Sequence, residues 1–221
     1  MKTQGQMTLR EVGRTTGTDK ADSHEYHGES YLDVYEKYVG PMRHTAKQVL
    51  EFGVLNGASL RTWRDYFSVA HIYGVDIDPA ANNDYGQRTT VFTASQTDPT
   101  VLAKISGDLD VIVDDGSHLV SHIIESFYLW WPRLKRGGFY FIEDLEASYY
   151  DMSPWRKTHP GHKYNPDDTD YNNTREKLES ALFKPLIHKM DNMTARECPS
   201  TITDVRMIHF WPNQCVIQKA W

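Results

Sequence analysis

The sequence has few cysteines. Cys198 and Cys215 are the only two in 221 residues, they lie far apart, and neither has a second Cys or a His at metal-ligand spacing. Disulfide frameworks and zinc sites need several such residues at regular spacings. The sequence therefore favours reduced thiols over a disulfide or a zinc site.

Long apolar runs are also absent. No stretch approaches the ~20 apolar residues that cross a bilayer, and residues 1–14 lack the apolar core of a signal peptide. We therefore expect a cytoplasmic protein with no membrane partner.

An excess of basic charge is missing as well. Lys and Arg total 24 against 30 Asp and Glu, which gives a formal charge of −6. Nucleic acid phosphates are bound mainly by Lys and Arg, so we expect no nucleic acid partner. Aromatic residues, by contrast, make up 12% of the chain. Because Tyr and Trp suit both protein interfaces and sugar faces, we expect a homodimer or larger homo-oligomer.

Short apolar runs alternate with helical patterns through the middle of the chain. This alternation predicts one α/β domain over residues 1–221, a Rossmann-like, doubly wound fold. Its mostly parallel seven-stranded sheet would end in a C-terminal antiparallel hairpin and carry helices on both faces. The predicted strands cover residues 49–53, 71–76, 90–94, 109–114 and 139–144, and the hairpin covers 204–219.

Three segments lie outside this alternation. Residues 1–16 show no periodicity and are predicted to form a flexible arm. Residues 17–40 contain a polar turn and a helical pattern, and we expect them to cover the cofactor and the substrate. Residues 150–172 are rich in Pro, His, Asp and Asn without a clear period, which predicts an acceptor-binding lid.

Glycines and acids follow the predicted strands. Gly53 and Gly57 come after the first strand, where they allow a tight turn and close approach of a ligand. Asp76 follows about 20 residues later, at the position where such sites place an acid on ribose hydroxyls. A nicotinamide site would have G-x-G-x-x-G, whereas this chain has E-x-G-x-x-x-G starting at Glu51. That pattern suits S-adenosylmethionine, which has no phosphate.

Short motifs carry a family resemblance: GTDK from Gly17, E-x-G from Glu51, GASLRTW from Gly57, YGVDI from Tyr73, SQTDP from Ser95, DDGSH from Asp114 and IEDL from Ile142. DDGSH followed by IEDL is the most specific pair. With these motifs the chain resembles the class I S-adenosylmethionine-dependent methyltransferases. Within them it is similar to the metal-dependent sugar O-methyltransferases that tailor macrolides and other deoxysugar compounds. Ser95 stands where that family has an Asp.

The resemblance implies S-adenosylmethionine and Mg²⁺ as cofactors and a sugar-containing small molecule or oligosaccharide as acceptor. It implies that Asp115, Glu143 and Asp144 bind the metal and that His118 is the general base. The residues assigned to S-adenosylmethionine are Gly17, Thr18, Lys20, Glu51, Gly53, Gly57, Ser59, Asp76, Ser95, Gln96 and Asp114. The side chains in or beside the lid that are assigned to the acceptor are Tyr149, Trp155, His159 and Tyr164.

The chemistry of these residue types agrees with those assignments. Carboxylates without a softer ligand favour a hard cation such as Mg²⁺, and His ordinarily titrates near neutral pH, as a general base should. Two structural alternatives stay open: Asp115 could cap the next helix, and only one of the adjacent Glu143 and Asp144 could reach the metal. Alternative functions are a catechol-type O-methyltransferase, a hydroxylase and a non-catalytic cofactor-binding module.

Overall fold

The computed structural model describes residues 7–23, 25–149, 174–190, 202 and 204–221. Seven of its strands form one sheet in the order β5-β4-β3-β6-β7-β9-β8, and β1 and β2 form a separate ribbon. The strands are β1 (Glu25–Tyr26), β2 (Glu29–Ser30), β3 (Gln48–Phe52), β4 (His71–Asp76), β5 (Thr89–Thr93), β6 (Leu109–Asp114), β7 (Leu134–Ile142), β8 (Val205–Trp211) and β9 (Gln214–Lys219).

Strands β3 to β7 pair in parallel, and β9 pairs antiparallel with both β7 and β8. The predicted Rossmann-like sheet with a C-terminal antiparallel hairpin is therefore confirmed. Within the described ranges, no helix has the length and apolar character needed to cross a membrane. The helices are α1 (Leu9–Thr16), α2 (Tyr31–Val39), α3 (Ala58–Tyr66), α4 (Pro99–Leu102), α5 (Val120–Trp130), α6 (Arg175–Leu178) and α7 (Lys184–Met190).

The core has two layers because alternate residues of a strand face opposite sides of the sheet. In β6, Val111 packs with α1, α2 and α3 on one face, whereas Ile112 packs with α5 and the segment 178–186 on the other. In β7, Phe141 and Tyr140 divide between the two faces in the same way. Helices thus cover both faces of the sheet, as predicted.

The N-terminal segment corrects one prediction. Residues 9–16 form helix α1 instead of continuing the flexible arm expected over residues 1–16, and residues 1–6 lie outside the described part. Thr8 and Glu11 form a capping box that satisfies free amides of the first turn. Leu9 and Val12 are buried against the core, which stabilises the helix far more than its eight residues could alone.

The strand order reverses between β3 and β6, so the two halves of the sheet diverge at their carboxyl ends. Phe52 pairs with Asp114, and Asp114 pairs with Ile142 on the next strand. Asp115 N donates to Phe52 O at 3.2 Å, and Glu143 N donates to Asp114 O at 3.0 Å. The residues that follow β3, β6 and β7 therefore meet at one edge.

Candidate active site

The turn between β3 and α3 is built on two glycines in left-handed backbone conformations. Gly53 has φ +83°, and a Cβ placed on it would lie 2.0 Å from the Asp115 backbone oxygen. Gly57 has φ +71°, and its Cβ would lie 2.0 Å from the ring of Tyr85. Close approach of a ligand to these glycines stays a prediction, and the structure shows that they admit two other segments of the chain, at Asp115 and Tyr85. The close approach of Gly53 to Asp115 places the glycine turn directly against the loop that follows β6.

Asp76 at the end of β4 fastens this glycine turn. Its Oδ2 accepts from Val54 N at 2.7 Å and from Leu55 N at 3.1 Å, while Oδ1 accepts from Asp78 N at 2.8 Å. Hydrogen bonds from several amides to one carboxylate fix both partners. Asp76 therefore shapes the turn whether or not it also contacts a ligand.

Asp115, His118 and Asp144 form a cluster of possible metal ligands, with one ligand atom from each within 4.8 Å of the others. His118 Nε2 lies 3.5 Å from Asp144 Oδ2 and 4.0 Å from Asp115 Oδ1. All three side chains are partly exposed. His118 and Asp144 also have positive φ angles of 56° and 52°. Left-handed backbone in residues other than glycine is costly and often marks functional sites.

Lys20 lies beneath this cluster, and its side chain is 4% exposed. Its Nζ donates to Asp115 Oδ2 and to Glu143 Oε2, the latter at 2.6 Å, and lies 3.8 Å from Glu51 Oε1. Burial opposes its charge, but Asp115 and Glu143 raise the pKa of Lys20 well above its usual value. The ammonium therefore neutralises part of the acidic edge.

Glu51 and Glu143 are almost completely buried behind the partly exposed acids. Glu143 Oε1 accepts from Tyr35 Oη, and Glu51 Oε1 accepts from Ser59 Oγ at 2.6 Å. Glu51 Oε2 has no hydrogen-bond partner among the described residues. Burial raises the pKa of Glu143 well above its ordinary value and that of Glu51 to about 7. The single ammonium of Lys20 faces three carboxylates, those of Glu51, Asp115 and Glu143, so it cannot balance their full negative charge.

Two tyrosines and an asparagine complete the edge, and the sequence pattern did not indicate their role. Tyr31 Oη donates to Asp144 Oδ1 at 2.8 Å, and Tyr35 Oη donates to Glu143. Asn213 Nδ2 in the β8–β9 turn donates to Tyr31 Oη at 2.5 Å. The i, i+4 spacing of the tyrosines on α2 was the available signal, because it places two hydroxyls on one face.

Asp114 and Gln96 face inward beneath the loop after β6. Asp114 accepts from Gln96 Nε2 at 2.9 Å and from Tyr140 Oη at 3.1 Å, and burial raises its pKa to about 7. Gln96 Oε1 accepts from Ser117 N at 2.8 Å, while its Nε2 also donates to Ser126 Oγ at 2.9 Å. This pair holds the DDGSH loop in place. Contact of either residue with a cofactor stays a prediction.

The remaining predicted residues lie in different surroundings. Gly17 ends α1 with φ +78°, Thr18 is buried beside it, and Ser95 Oγ lies 3.0 Å from Thr97 Oγ1 in the turn after β5. The predicted lid 150–172 lies outside the described residues. Three of the predicted acceptor contacts also lie outside them, namely Trp155, His159 and Tyr164. The side chain of the fourth, Tyr149, is likewise outside the described part.

Comparison with known proteins identifies relatives. A family model described as a methyltransferase domain matches residues 50–145. An 8-demethyl-8-alpha-L-rhamnosyl tetracenomycin-C 2'-O-methyltransferase from Streptomyces olivaceus is 32% identical over 92% of this chain and 52% of its own length. A demethylmacrocin O-methyltransferase from Streptomyces fradiae is 34% identical over 84% of this chain and 47% of its own length. The chain thus spans about half the length of these curated relatives.

The fold is also similar to solved structures. MycE, a methyltransferase of mycinamycin biosynthesis in complex with Mg and SAH, matches with a TM-score of 0.74 at 25% identity. The match covers 97% of this chain and 55% of MycE. A complex of MycE that also contains mycinamycin VI matches with a TM-score of 0.71. The chain therefore shares its fold with a protein that was solved in complex with Mg, SAH and mycinamycin VI.

Proposed function

The chain carries a class I S-adenosylmethionine-dependent methyltransferase domain related to sugar O-methyltransferases of antibiotic pathways, and from this we propose that it methylates a sugar hydroxyl in a Mg²⁺-dependent reaction. The observation that carries the proposal is the cluster of Asp115, His118 and Asp144. It lies at the sheet edge against the glycine turn, where a Rossmann-like fold binds its ligands. A cofactor and a metal would therefore be neighbours.

The residues present fit a hard divalent cation. The candidate ligands are the carboxylates of Asp115 and Asp144, an oxygen set without thiolate that suits Mg²⁺, and His118 lies beside them. The edge has more carboxylates than Lys20 can neutralise, and Glu51 Oε2 is buried without a hydrogen-bond partner among the described residues. Asp115 and Asp144 would hold the cation from the exposed side. Glu143, which is bonded to Lys20 and Tyr35, would be the third carboxylate assigned to the cation.

A bound divalent cation would act as a Lewis acid that lowers the pKa of a coordinated sugar hydroxyl. His118 would accept the proton of that hydroxyl at Nε2, the nitrogen that faces Asp144 and Asp115. The left-handed backbone at His118 would keep its ring aimed at the acids. His118 would thus act as the general base that makes the acceptor oxygen nucleophilic.

The methyl donor would be positioned by the turn after β3. Methyl transfer from a sulfonium is an in-line displacement, so its rate depends on alignment of donor and acceptor. Gly53 and Gly57 let Asp115 and Tyr85 pack directly against that turn, and Asp76 holds it from β4. The acceptor class that the relatives favour is a deoxysugar glycoside. Oligosaccharides and nucleotide sugars are the other candidates, and the homo-oligomer stays a prediction.

The test is a mass-spectrometric acceptor screen with purified protein, S-adenosylmethionine and Mg²⁺. The panel should contain rhamnosides, other deoxysugar glycosides, mannosides, nucleotide sugars and a catechol. We expect one sugar class to gain a methyl group, with activity lost in a chelator and restored by Mg²⁺. Methylation of the catechol alone would favour the catechol-type alternative. Cofactor turnover that ignores the chelator would contradict the metal role.

Replacing Asp76 with asparagine should weaken binding of S-adenosylhomocysteine by about 10- to 100-fold. Oδ2 of Asp76 accepts from Val54 N and Leu55 N while Oδ1 accepts from Asp78 N, and an amide has only one acceptor oxygen for these two sides. Its NH₂ group must therefore face a backbone N–H, and the lost hydrogen bond to a charged oxygen is worth roughly 1.5–3 kcal/mol. Calorimetric titration measures this loss. Asp78→Asn, which changes the neighbouring acid that caps residues 79–81, should leave affinity nearly unchanged. Equal affinities in both variants would remove Asp76 from the cofactor site.

A further inference from the structure

Lys20 is bound to the acids of the candidate metal site although it comes from a distant segment of the chain. It lies in the turn Asp19–Ala21 after α1, outside the residues that match the methyltransferase family model. Its buried ammonium contacts Asp115 and Glu143 and lies near Glu51. A lysine fully withdrawn from water needs such partners, because an unpaired buried charge is strongly unfavourable.

Asp115 belongs to two groups at once. Its Oδ2 accepts from Lys20 in the buried layer, whereas its Oδ1 faces His118 and the partly exposed cluster with Asp144. A dication held by the exposed cluster would share the Asp115 carboxylate with the lysine ammonium. Two positive centres on one carboxylate repel each other, and the repulsion is stronger in a buried site than in water.

We propose that the Lys20 ammonium occupies the carboxylates at this sheet edge when no metal is bound. By competing for Asp115 and Glu143, it lowers the affinity of the site for a divalent metal. Without metal, its ammonium keeps these carboxylates together at the sheet edge. When a dication binds, it replaces part of the lysine's hold on the same carboxylates. This inference rests on the proposed metal dependence, and it makes Lys20 a positioning residue that sets how much metal the site requires.

The test replaces Lys20 with methionine, which is unbranched and only one atom shorter and which removes the charge. We expect Lys20→Met to bind Mg²⁺ about tenfold more tightly than the unmodified protein in calorimetric titration. We also expect its metal-free form to melt at a lower temperature, with a larger rise on adding Mg²⁺. The matched control is Lys37→Met, which removes the same charge from an exposed pair with Glu29 and should leave Mg²⁺ affinity unchanged.

The outcomes separate the inference from the proposed function. If the unmodified protein binds no divalent cation, the metal dependence itself fails. If it binds Mg²⁺ and Lys20→Met binds it equally or more weakly, Lys20 only organises the ligands and the competition is refuted. Lys20→Gln, which keeps a hydrogen-bond donor, provides a second measurement if the methionine variant is insoluble. Failure of both to fold at saturating Mg²⁺ would also refute the inference, because a dication should then supply the missing charge.

Discussion

Replacing His118 with alanine should lower turnover by ~10²–10⁴-fold, the usual effect of removing a general base. The imidazole Nε2 lies 3.5 Å from Asp144 and 4.0 Å from Asp115, so it faces the place where the acceptor hydroxyl would be held. Affinity for S-adenosylhomocysteine should change little, because the glycine turn and Asp76 do not depend on the imidazole. Steady-state kinetics and calorimetry on the same preparation measure both quantities.

Metal titration distinguishes a base from a ligand at this position. His118 belongs to the same group of possible ligands as Asp115 and Asp144. As a base, its loss should leave the Mg²⁺ concentration for half-maximal activity unchanged. A rise of tenfold or more would instead make it part of the metal site, as a ligand or as a group that orients one. His71→Gln is the control. His71 lies at the start of β4, far from the acids, and its ring binds Thr90 on β5, so this variant should keep full turnover.

The loss of turnover in His118→Ala should depend on the acidity of the acceptor hydroxyl. A sugar hydroxyl is a far weaker acid than a catechol, so it needs both a Lewis acid and a base before it attacks a methyl group. The same substitution should therefore reduce methylation of a sugar more than methylation of a catechol. Comparing the two acceptors on one variant separates the sugar and catechol alternatives.

The positions of the acids were predictable because they depend on local pattern and on one rule of sheet geometry. The runs VIVDDGSH and FYFIED each show a buried strand that ends in acids, and parallel strands end at one edge. The register that places Asp114 beside Phe52 and Ile142 follows from that arrangement. The sheet and the edge-facing acids could thus be derived without coordinates.

The contacts that organise those acids could not be derived in this way. Lys20 lies 95 residues from Asp115 along the chain, and Tyr35 lies 108 residues from Glu143. No periodicity relates residues so far apart, because only the packing of α2 and the preceding turn against the sheet brings them together. The family resemblance assigns Lys20 to the cofactor, a contact that stays a prediction, and the structure places its ammonium among the carboxylates.

The end of α5 and the start of α1 do not follow from the apolar pattern, for a different reason. The apolar spacing from Leu119 to Leu134 predicts one helix over that range, whereas α5 ends at Trp130, and Pro132 lies in the short 3-10 turn that follows. The T-x-x-E capping box at Thr8 did mark the start of α1. The apolar residues of α1 are too few to show a period, so the pattern alone predicts an arm there. Local caps and prolines carried information that periodicity alone did not.

The second large effect concerns the glycine turn. Gly53 and Gly28 both have left-handed backbone, with φ +83° and +85°. A side chain in that conformation costs roughly 1–2 kcal/mol at either position. A Cβ at Gly28 would meet no atom within 4 Å, whereas one at Gly53 would lie 2.0 Å from the Asp115 backbone oxygen. The two glycines therefore share the conformational cost and differ in the collision alone.

Gly53→Ala should destabilise the protein by at least ~2 kcal/mol more than Gly28→Ala, because relieving the collision must move the loop that holds Asp115. Urea denaturation of both variants measures the difference, and complete failure of Gly53→Ala to fold agrees with it. Where the variant does fold, the displaced Asp115 should also weaken Mg²⁺ binding, which Gly28→Ala should retain. Equal unfolding midpoints would mean that the glycine turn and the Asp115 loop are not packed together. The glycine turn would then not help to position the metal site.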